Sequence, residues 1–171
     1  IGYTYDYNLI NYPEALKHYY SSLRLLEELG NEELMANLYR HIGLIFYKQD
    51  NIAEAMINFD SALKKSERTD NKNGIAYANN NIGDVNLKQG NYEEALKKYQ
   101  TAISFFIKGG MKGSAAITSW GIGDIYKRKA TTAENEAVAT GFYKEALTNY
   151  QQSIAFAKES NDKGGLGYYY A

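Results

Sequence analysis

The residue types that most often carry out catalysis are absent or badly spaced in this sequence. There is no cysteine, which excludes thiol catalysis and cysteine-bound zinc, and no pair of histidines has a metal-binding spacing. The run GGMKGS at 109–114 resembles a phosphate-binding loop, but its spacing is wrong and no strand is predicted before it. The clustered glutamates Glu27, Glu28, Glu32 and Glu33 are typical of a solvated helix face. We therefore expect a noncatalytic protein without metal or cofactor.

Other residues have the chemistry of recognition. Asn80 and Asn81 carry amides that both donate and accept hydrogen bonds, which suits the backbone of an extended peptide. Asp84 and Asp124 are 40 residues apart and suit a basic ligand, with internal ion pairs to nearby arginines as the alternative. Trp120 is the only tryptophan, a residue type that dominates binding energies in interfaces. These side chains predict a binding surface if the fold brings them together.

Composition restricts the classes of partner. Nineteen basic and 20 acidic residues give a formal net charge of -1, so there is no electrostatic basis for binding nucleic acid or anionic lipid. The mean hydropathy is -0.52 and no apolar run approaches the ~18 residues of a membrane-spanning helix. With 44% hydrophobic residues and one proline, the chain can bury a core. We expect a protein or peptide partner.

An internal repeat organises the chain. The dipeptide Ile-Gly occurs at 42–43, 82–83 and 122–123, at a constant interval of 40 residues. An alanine follows the first two of these glycines after 12 residues and the third after 23, which predicts an insertion at 130–140. Its Ala- and Glu-rich sequence favours longer helices or an added turn. We predict one array over 1–171, with a partial repeat at 1–30, repeats at 31–70, 71–110 and 111–161, and the start of another at 162–171.

Each repeat is predicted to be a helical hairpin. Apolar and small residues recur at offsets of three and four, which places them on one stripe of a first helix and the facing stripe of a second. Gly and Ala allow a close approach between the helices, and a Phe or Tyr fills the space beside them. Residues that accept left-handed backbone mark the predicted turns. Those within repeats are Asp50-Asn51, Gly90-Asn91 and Gly141, and those after second helices are Gly30, Asp70, Gly110 and Asn161.

These residues resemble tetratricopeptide repeats, which have an aromatic, then Leu-Gly, then Tyr, and later Ala with an aromatic four residues on. The series Ile82, Gly83, Ala95 and Tyr99 carries the resemblance, although Asn86 replaces the expected aromatic. The 40-residue period is similar to that of kinesin light chains, Rap-type regulators and many bacterial sensor proteins. The resemblance implies an all-α fold, a right-handed superhelical solenoid of antiparallel helix pairs.

In such a solenoid the first helices line a concave groove. The predicted groove residues lie on the side of each first helix that faces away from its partner helix. They are Asn37, Arg40, His41, Leu44, Tyr47, Tyr77, Asn80, Asn81, Asp84, Lys88, Ile117, Trp120, Asp124 and Arg128. The alternative is that the asparagines are only solvated and that Trp120 packs on Tyr168 or Ala171 of a following repeat.

One known use of the family is not expected. Repeats that hold chaperone C-terminal carboxylates need cations on the third first helix, where this chain has Ile117 and Gly121. The leading hypothesis is instead a peptide-binding or protein-binding module, the sensory or scaffolding part of a larger bacterial signalling protein. Two alternatives stay open: self-association through uncapped ends, and part of a Rap-like regulator of response-regulator phosphorylation.

Overall fold

The computed structural model describes residues 11–160, and this part of the chain contains seven α-helices and no strand. The all-α prediction is therefore confirmed. The predicted start of another repeat at 162–171, the turn residue Asn161 and the first ten residues lie outside the described part. The helices are α1 Tyr12–Glu28, α2 Glu32–Lys48, α3 Ile52–Arg68, α4 Lys72–Lys88, α5 Tyr92–Lys108, α6 Lys112–Thr131 and α7 Glu136–Glu159.

Short turns of one type connect the first six helices. A residue with positive φ follows the end of each of the first five helices, as predicted for Gly30, Asp50, Asp70, Gly90 and Gly110. At the first turn, the backbone N–H of Asn31 donates to Leu26 O at 3.0 Å, which satisfies a terminal carbonyl of α1. The Asn31 side chain also accepts from Leu34 N at 3.1 Å and so begins α2. Asn91 holds the equivalent place before α5, but its side chain makes no cap bond.

Glycines set the close approach between paired helices. At three of them, an added Cβ would lie 2.6 Å from a ring carbon of the next helix, so only glycine leaves room for the ring. The pairs are Gly43 with Phe59, Gly83 with Tyr99 and Gly123 with Tyr150. Hence α2 packs on α3, α4 on α5 and α6 on α7, as the hairpin pattern predicts.

The hairpins stack in chain order into a helical solenoid. Helix α1 packs on α2, α3 on α4 and α5 on α6, so each second helix also contacts the following first helix. The first helices α2, α4 and α6 contact one another in sequence. This succession builds one wall from α2, α4 and α6, the helices that carry the predicted groove residues.

The helices around the predicted insertion are longer than the others. Helix α6 has 20 residues and α7 has 24, against 17 in each of the first five. The expectation that Gly141 marks the turn of this pair is wrong, because Gly141 lies inside α7. The turn is earlier, where the Asn135 side chain caps α7 by accepting from Val138 N at 3.0 Å.

Candidate functional site

A pocket of about 380 Å³ opens on the wall formed by α2, α4 and α6. Tyr99 of α5 and Leu87 and Gly121 of the first helices complete its lining. The structure brings together here half of the residues predicted for the groove, namely Tyr47, Asp84, Lys88, Ile117, Trp120, Asp124 and Arg128.

The rim of the pocket exposes apolar side chains. Ile117 is 60% exposed and Trp120 is 46% exposed, both on α6. Leu87 of α4 and Tyr47 of α2 stand partly buried among the other lining residues. Large apolar groups that a fold leaves in contact with water at a concave site can contribute binding energy when a ligand covers them.

A chain of hydrogen bonds crosses the floor of the pocket. The Tyr99 hydroxyl donates to Asp84 Oδ1 at 2.5 Å, and Asn80 Nδ2 donates to Asp84 Oδ2 at 3.3 Å. Asn80 Oδ1 in turn accepts from Thr118 Oγ1 of α6 at 2.7 Å. Because both polar atoms of Asn80 are engaged, the chain ties α4 to α5 and α6 and fixes the Asp84 carboxylate in place.

Burial raises the pKa values of the ionisable side chains at the floor of the pocket. It raises the pKa of Asp84 from 3.8 to about 6, although the hydrogen bond from Tyr99 acts in the opposite direction. Burial, and then the nearby Asp84 carboxylate, raise the pKa of Tyr99 and of Tyr47 above the usual value of 10. At neutral pH the site therefore has protonated tyrosines around a mostly ionised, partly desolvated carboxylate.

The other charged groups of the pocket have partners. Arg128 Nε donates to Asp124 Oδ2 at 2.7 Å, one helical turn away on α6, and this pairing raises the pKa of Arg128. Lys88 Nζ lies 2.5 Å from Asp50 Oδ1 and 5.0 Å from the centre of the Tyr47 ring. Asp124 therefore forms the internal ion pair considered as the alternative. Lys88, four residues after Asp84 on α4, pairs instead with Asp50 of the preceding repeat.

A second hollow of about 330 Å³ lies on the other side of Trp120. Trp120 and Asp124 line both cavities, and Tyr150 and Ile154 of α7 contribute to the second. The Trp120 ring lies 6.4 Å from that of Tyr150. Its contacts with Tyr168 or Ala171, the alternative considered above, fall outside the described residues.

Four predicted residues lie away from the pocket, and three of them contact one another. Arg40 lies 5.4 Å over the Tyr77 ring and its guanidinium is 3.1 Å from His41 Nε2. The His41 ring stacks on Tyr19 of α1 at 6.0 Å. Burial, followed by the charge of Arg40, lowers the pKa of His41. Leu44, on the same helix, packs against the core formed around Phe59. None of these five residues lines the pocket.

The asparagines do not form the predicted clamp. Asn81 is only 7% exposed and its Nδ2 finds no hydrogen-bond partner within residues 11–160. His41 and Gly121 hold the position of Asn81 in the neighbouring repeats. His41 stacks on Tyr19 of α1, and Gly121 lies against Tyr99 of α5. This side of each first helix therefore faces the second helix of the preceding repeat. The placement of Asn81 on the groove surface is corrected accordingly. Asn37 is exposed on α2 but does not line the pocket.

Tyr99 is a functional candidate that the sequence pattern assigned only to the core. A signal existed in the repeat itself. Phe59 and Tyr99 hold equivalent positions in successive repeats. The repeat of Phe59 has Leu44 where the repeat of Tyr99 has Asp84. A buried tyrosine hydroxyl needs a hydrogen-bond partner, and Asp84 supplies it to Tyr99.

Residues 11–160 contain neither a metal-binding group nor a membrane-spanning helix. Between residues 11 and 160, no group of three or more His, Cys, Asp or Glu side chains is placed to hold a metal ion. No helix in the same range is long and apolar enough to cross a membrane.

Comparison with known proteins gives a family match. The sequence model described as Tetratricopeptide repeat matches residues 76–106, which include most of α4 and α5 with Asp84 and Tyr99. A comparison with curated proteins gives no match. The resemblance seen in the residues is thus confirmed for this repeat, whose family is generally a noncatalytic interaction repeat.

Proposed function

We propose that this chain, which carries a tetratricopeptide repeat at residues 76–106, binds an extended peptide segment of a protein partner in the groove along α2, α4 and α6. The proposal includes a continuous array through the whole chain, as the 40-residue pattern predicts. The resemblance to long-period repeats of bacterial sensors supports a place in a larger bacterial signalling protein.

The observation that carries this proposal is the exposed apolar rim above a fixed polar floor. Ile117 and Trp120 line the pocket, and their apolar side chains are exposed to water. The floor groups are already positioned by hydrogen bonds, so a ligand would not have to order them. A preformed concave site with apolar walls and few polar groups is typical of ligand recognition.

The test is an unbiased array of twelve-residue peptides probed with the whole chain. Ligands are then titrated against Ile117→Ala and against Ile57→Ala as the matched control. Ile57 is 58% exposed on α3, so both variants remove the same side chain from an equally exposed position. We expect Ile117→Ala to weaken binding about tenfold and Ile57→Ala to leave it unchanged. Equal losses in both variants, or an array without a ligand, would contradict the proposal.

Self-association is the second candidate, and one observation favours it. Tyr143 is 49% exposed and Leu147 is 57% exposed, one turn apart on α7. Sedimentation over a range of concentrations tests this candidate. A species that stays monomeric throughout removes it, and a dimer that Leu147→Asp dissociates supports it.

A further inference from the structure

One charged residue of the pocket has no ion-pair partner among the described residues. Four charged residues line it, namely Asp84, Lys88, Asp124 and Arg128. Asp124 is paired with Arg128, and Lys88 is paired with Asp50 from the turn after α2. No lysine or arginine within residues 11–160 forms an ion pair with Asp84. One carboxylate is therefore left without a counter-ion at the floor of the pocket.

The two aspartates provide an internal comparison. Asp84 and Asp124 occupy equivalent positions, and each has a basic residue four positions later on its helix. On α6 the ion pair forms at 2.7 Å. On α4, Lys88 instead lies over the Tyr47 ring and reaches Asp50. Asp84 lacks a cation because Lys88 pairs with Asp50, and not because of its position on the helix.

Neutral groups hold the Asp84 carboxylate without compensating its charge. The Tyr99 hydroxyl and the Asn80 amide each donate one hydrogen bond, one to either oxygen. These donors orient the carboxylate and stabilise it in part, and a cation would add a direct charge–charge attraction. The arrangement favours a ligand that brings a positive charge.

The surroundings select an organic cation. The pocket of about 380 Å³ is much larger than a metal ion needs, and Asp84 has no neighbouring carboxylate free to share one. The Trp120 ring lines the same pocket, and aromatic faces attract ammonium and guanidinium groups, as Lys88 over the Tyr47 ring already illustrates. Exposed Ile117 beside Trp120 offers an apolar contact to a neighbouring residue of the same ligand.

We infer that the pocket over Asp84 receives a basic side chain, lysine or arginine, from an extended peptide whose adjacent apolar side chains cover Ile117 and Trp120. This inference rests on the proposed function and names the chemistry of its ligand. Charge complementarity at Asp84 supports a basic peptide over an acidic one, for which the floor would be repulsive.

The experiment uses five acetylated and amidated peptides of the form Ser-Ser-Leu-Ser-X-Ser-Leu-Ser-Ser. The central residue X is lysine, arginine, norleucine, glutamine or glutamate. Binding to the whole chain is followed by calorimetry and by the fluorescence of Trp120, the only tryptophan. We expect the lysine and arginine peptides to bind at least tenfold more tightly than the norleucine peptide, and the glutamate peptide to bind most weakly.

Two variants and a control assign the preference to Asp84. Asp84→Asn should remove the tenfold preference for a basic residue, whereas Asp60→Asn, the same charge change at an exposed position on α3, should retain it. Arg128→Gln frees Asp124 from its ion pair and should strengthen binding of the lysine peptide several-fold. The second variant changes an exposed side chain, so the inference stays testable if Asp84→Asn fails to fold.

The outcomes separate this inference from the proposed function. Equal binding of the norleucine and lysine peptides, with both lost in Ile117→Ala, would overturn the basic-ligand inference and leave the groove in place. A preference for lysine that survives Asp84→Asn, or an affinity that Arg128→Gln fails to raise, would also overturn it. Failure of all five peptides rejects this ligand chemistry, whereas the proposed function fails only when the unbiased array yields no ligand sensitive to Ile117→Ala.

Discussion

Asp84→Asn removes a charge that the fold holds in a partly desolvated position, and it should stabilise the free protein. The asparagine side chain is isosteric, and its Oδ1 can still accept from the Tyr99 hydroxyl. Its Nδ2 can donate to Asn80 Oδ1 once the Asn80 amide turns over, because Thr118 Oγ1 can then accept from Asn80 Nδ2 and donate to Ser114 O. The main change is therefore the loss of ionisation. The effect should depend on pH, because a protonated Asp84 carries no charge either.

The size of this effect follows from the pKa of Asp84, which is raised from 3.8 to about 6. Below about pH 3 the carboxyl is largely protonated in the folded and unfolded states, so its ionisation costs no stability. As the pH rises from 4 to 6, the unfolded state loses its proton first and the wild type loses stability. Above pH 6 the loss levels off at about 3 kcal/mol, since each pKa unit is worth about 1.4 kcal/mol.

Urea unfolding followed by far-ultraviolet circular dichroism measures this difference. The stability gained by Asp84→Asn should be about 1 kcal/mol larger at pH 8 than at pH 5. Tyr47 and Tyr99 stay protonated throughout, because their pKa values are raised above 10. Asp60→Asn, the same substitution at an exposed position on α3, serves as the control. A gain that is the same at both pH values would refute the account of Asp84 as a destabilising, uncompensated charge.

The remaining predictions concern packing and caps. Gly83→Ala should destabilise the fold by roughly 2 kcal/mol, because its Cβ would lie 2.6 Å from the Tyr99 ring. Gly141→Ala, in open space on α7, should stabilise it by up to about 1 kcal/mol, and similar shifts in melting temperature for both variants would contradict the packing argument. Asn31→Ala should cost about 1 kcal/mol through the lost cap, but Asn91→Ala should cost much less because its side chain makes no cap bond. Equal denaturation midpoints for these two variants would count against the capping argument.

The fold was predictable because its signals are local and repeated. The glycines and the aromatic rings that face them specify each helix crossing, and residues such as Gly30 and Asp70 specify where helices end. The pair of α6 and α7 departs from this pattern. Gly141 predicts a turn there, but the inserted residues form the start of α7, and Asn135 caps the helix before Gly141.

The site was predictable only in part, because helix phase does not decide between a surface and a neighbouring helix. Trp120 and Ile117 are exposed on α6 beside the pocket, and their part in binding stays a prediction. Asn81 is buried, because the second helix of the preceding pair covers its side of α4. The pairing partners of Asp84 and Asp124 also differ at equivalent positions, and this difference arises from Asp50 in a distant turn.

The Tyr99 ring lies between two glycines, Gly83 of its own hairpin and Gly121 of the next first helix. A Cβ on Gly121 would approach the ring to 3.2 Å, so the ring acts as a spacer between consecutive hairpins. The separation of α4 and α6 is consequently sensitive to single methyl groups at these sites. Small substitutions here would alter the curvature of the array, and with it the span available to a partner, without changing any side chain on the rim.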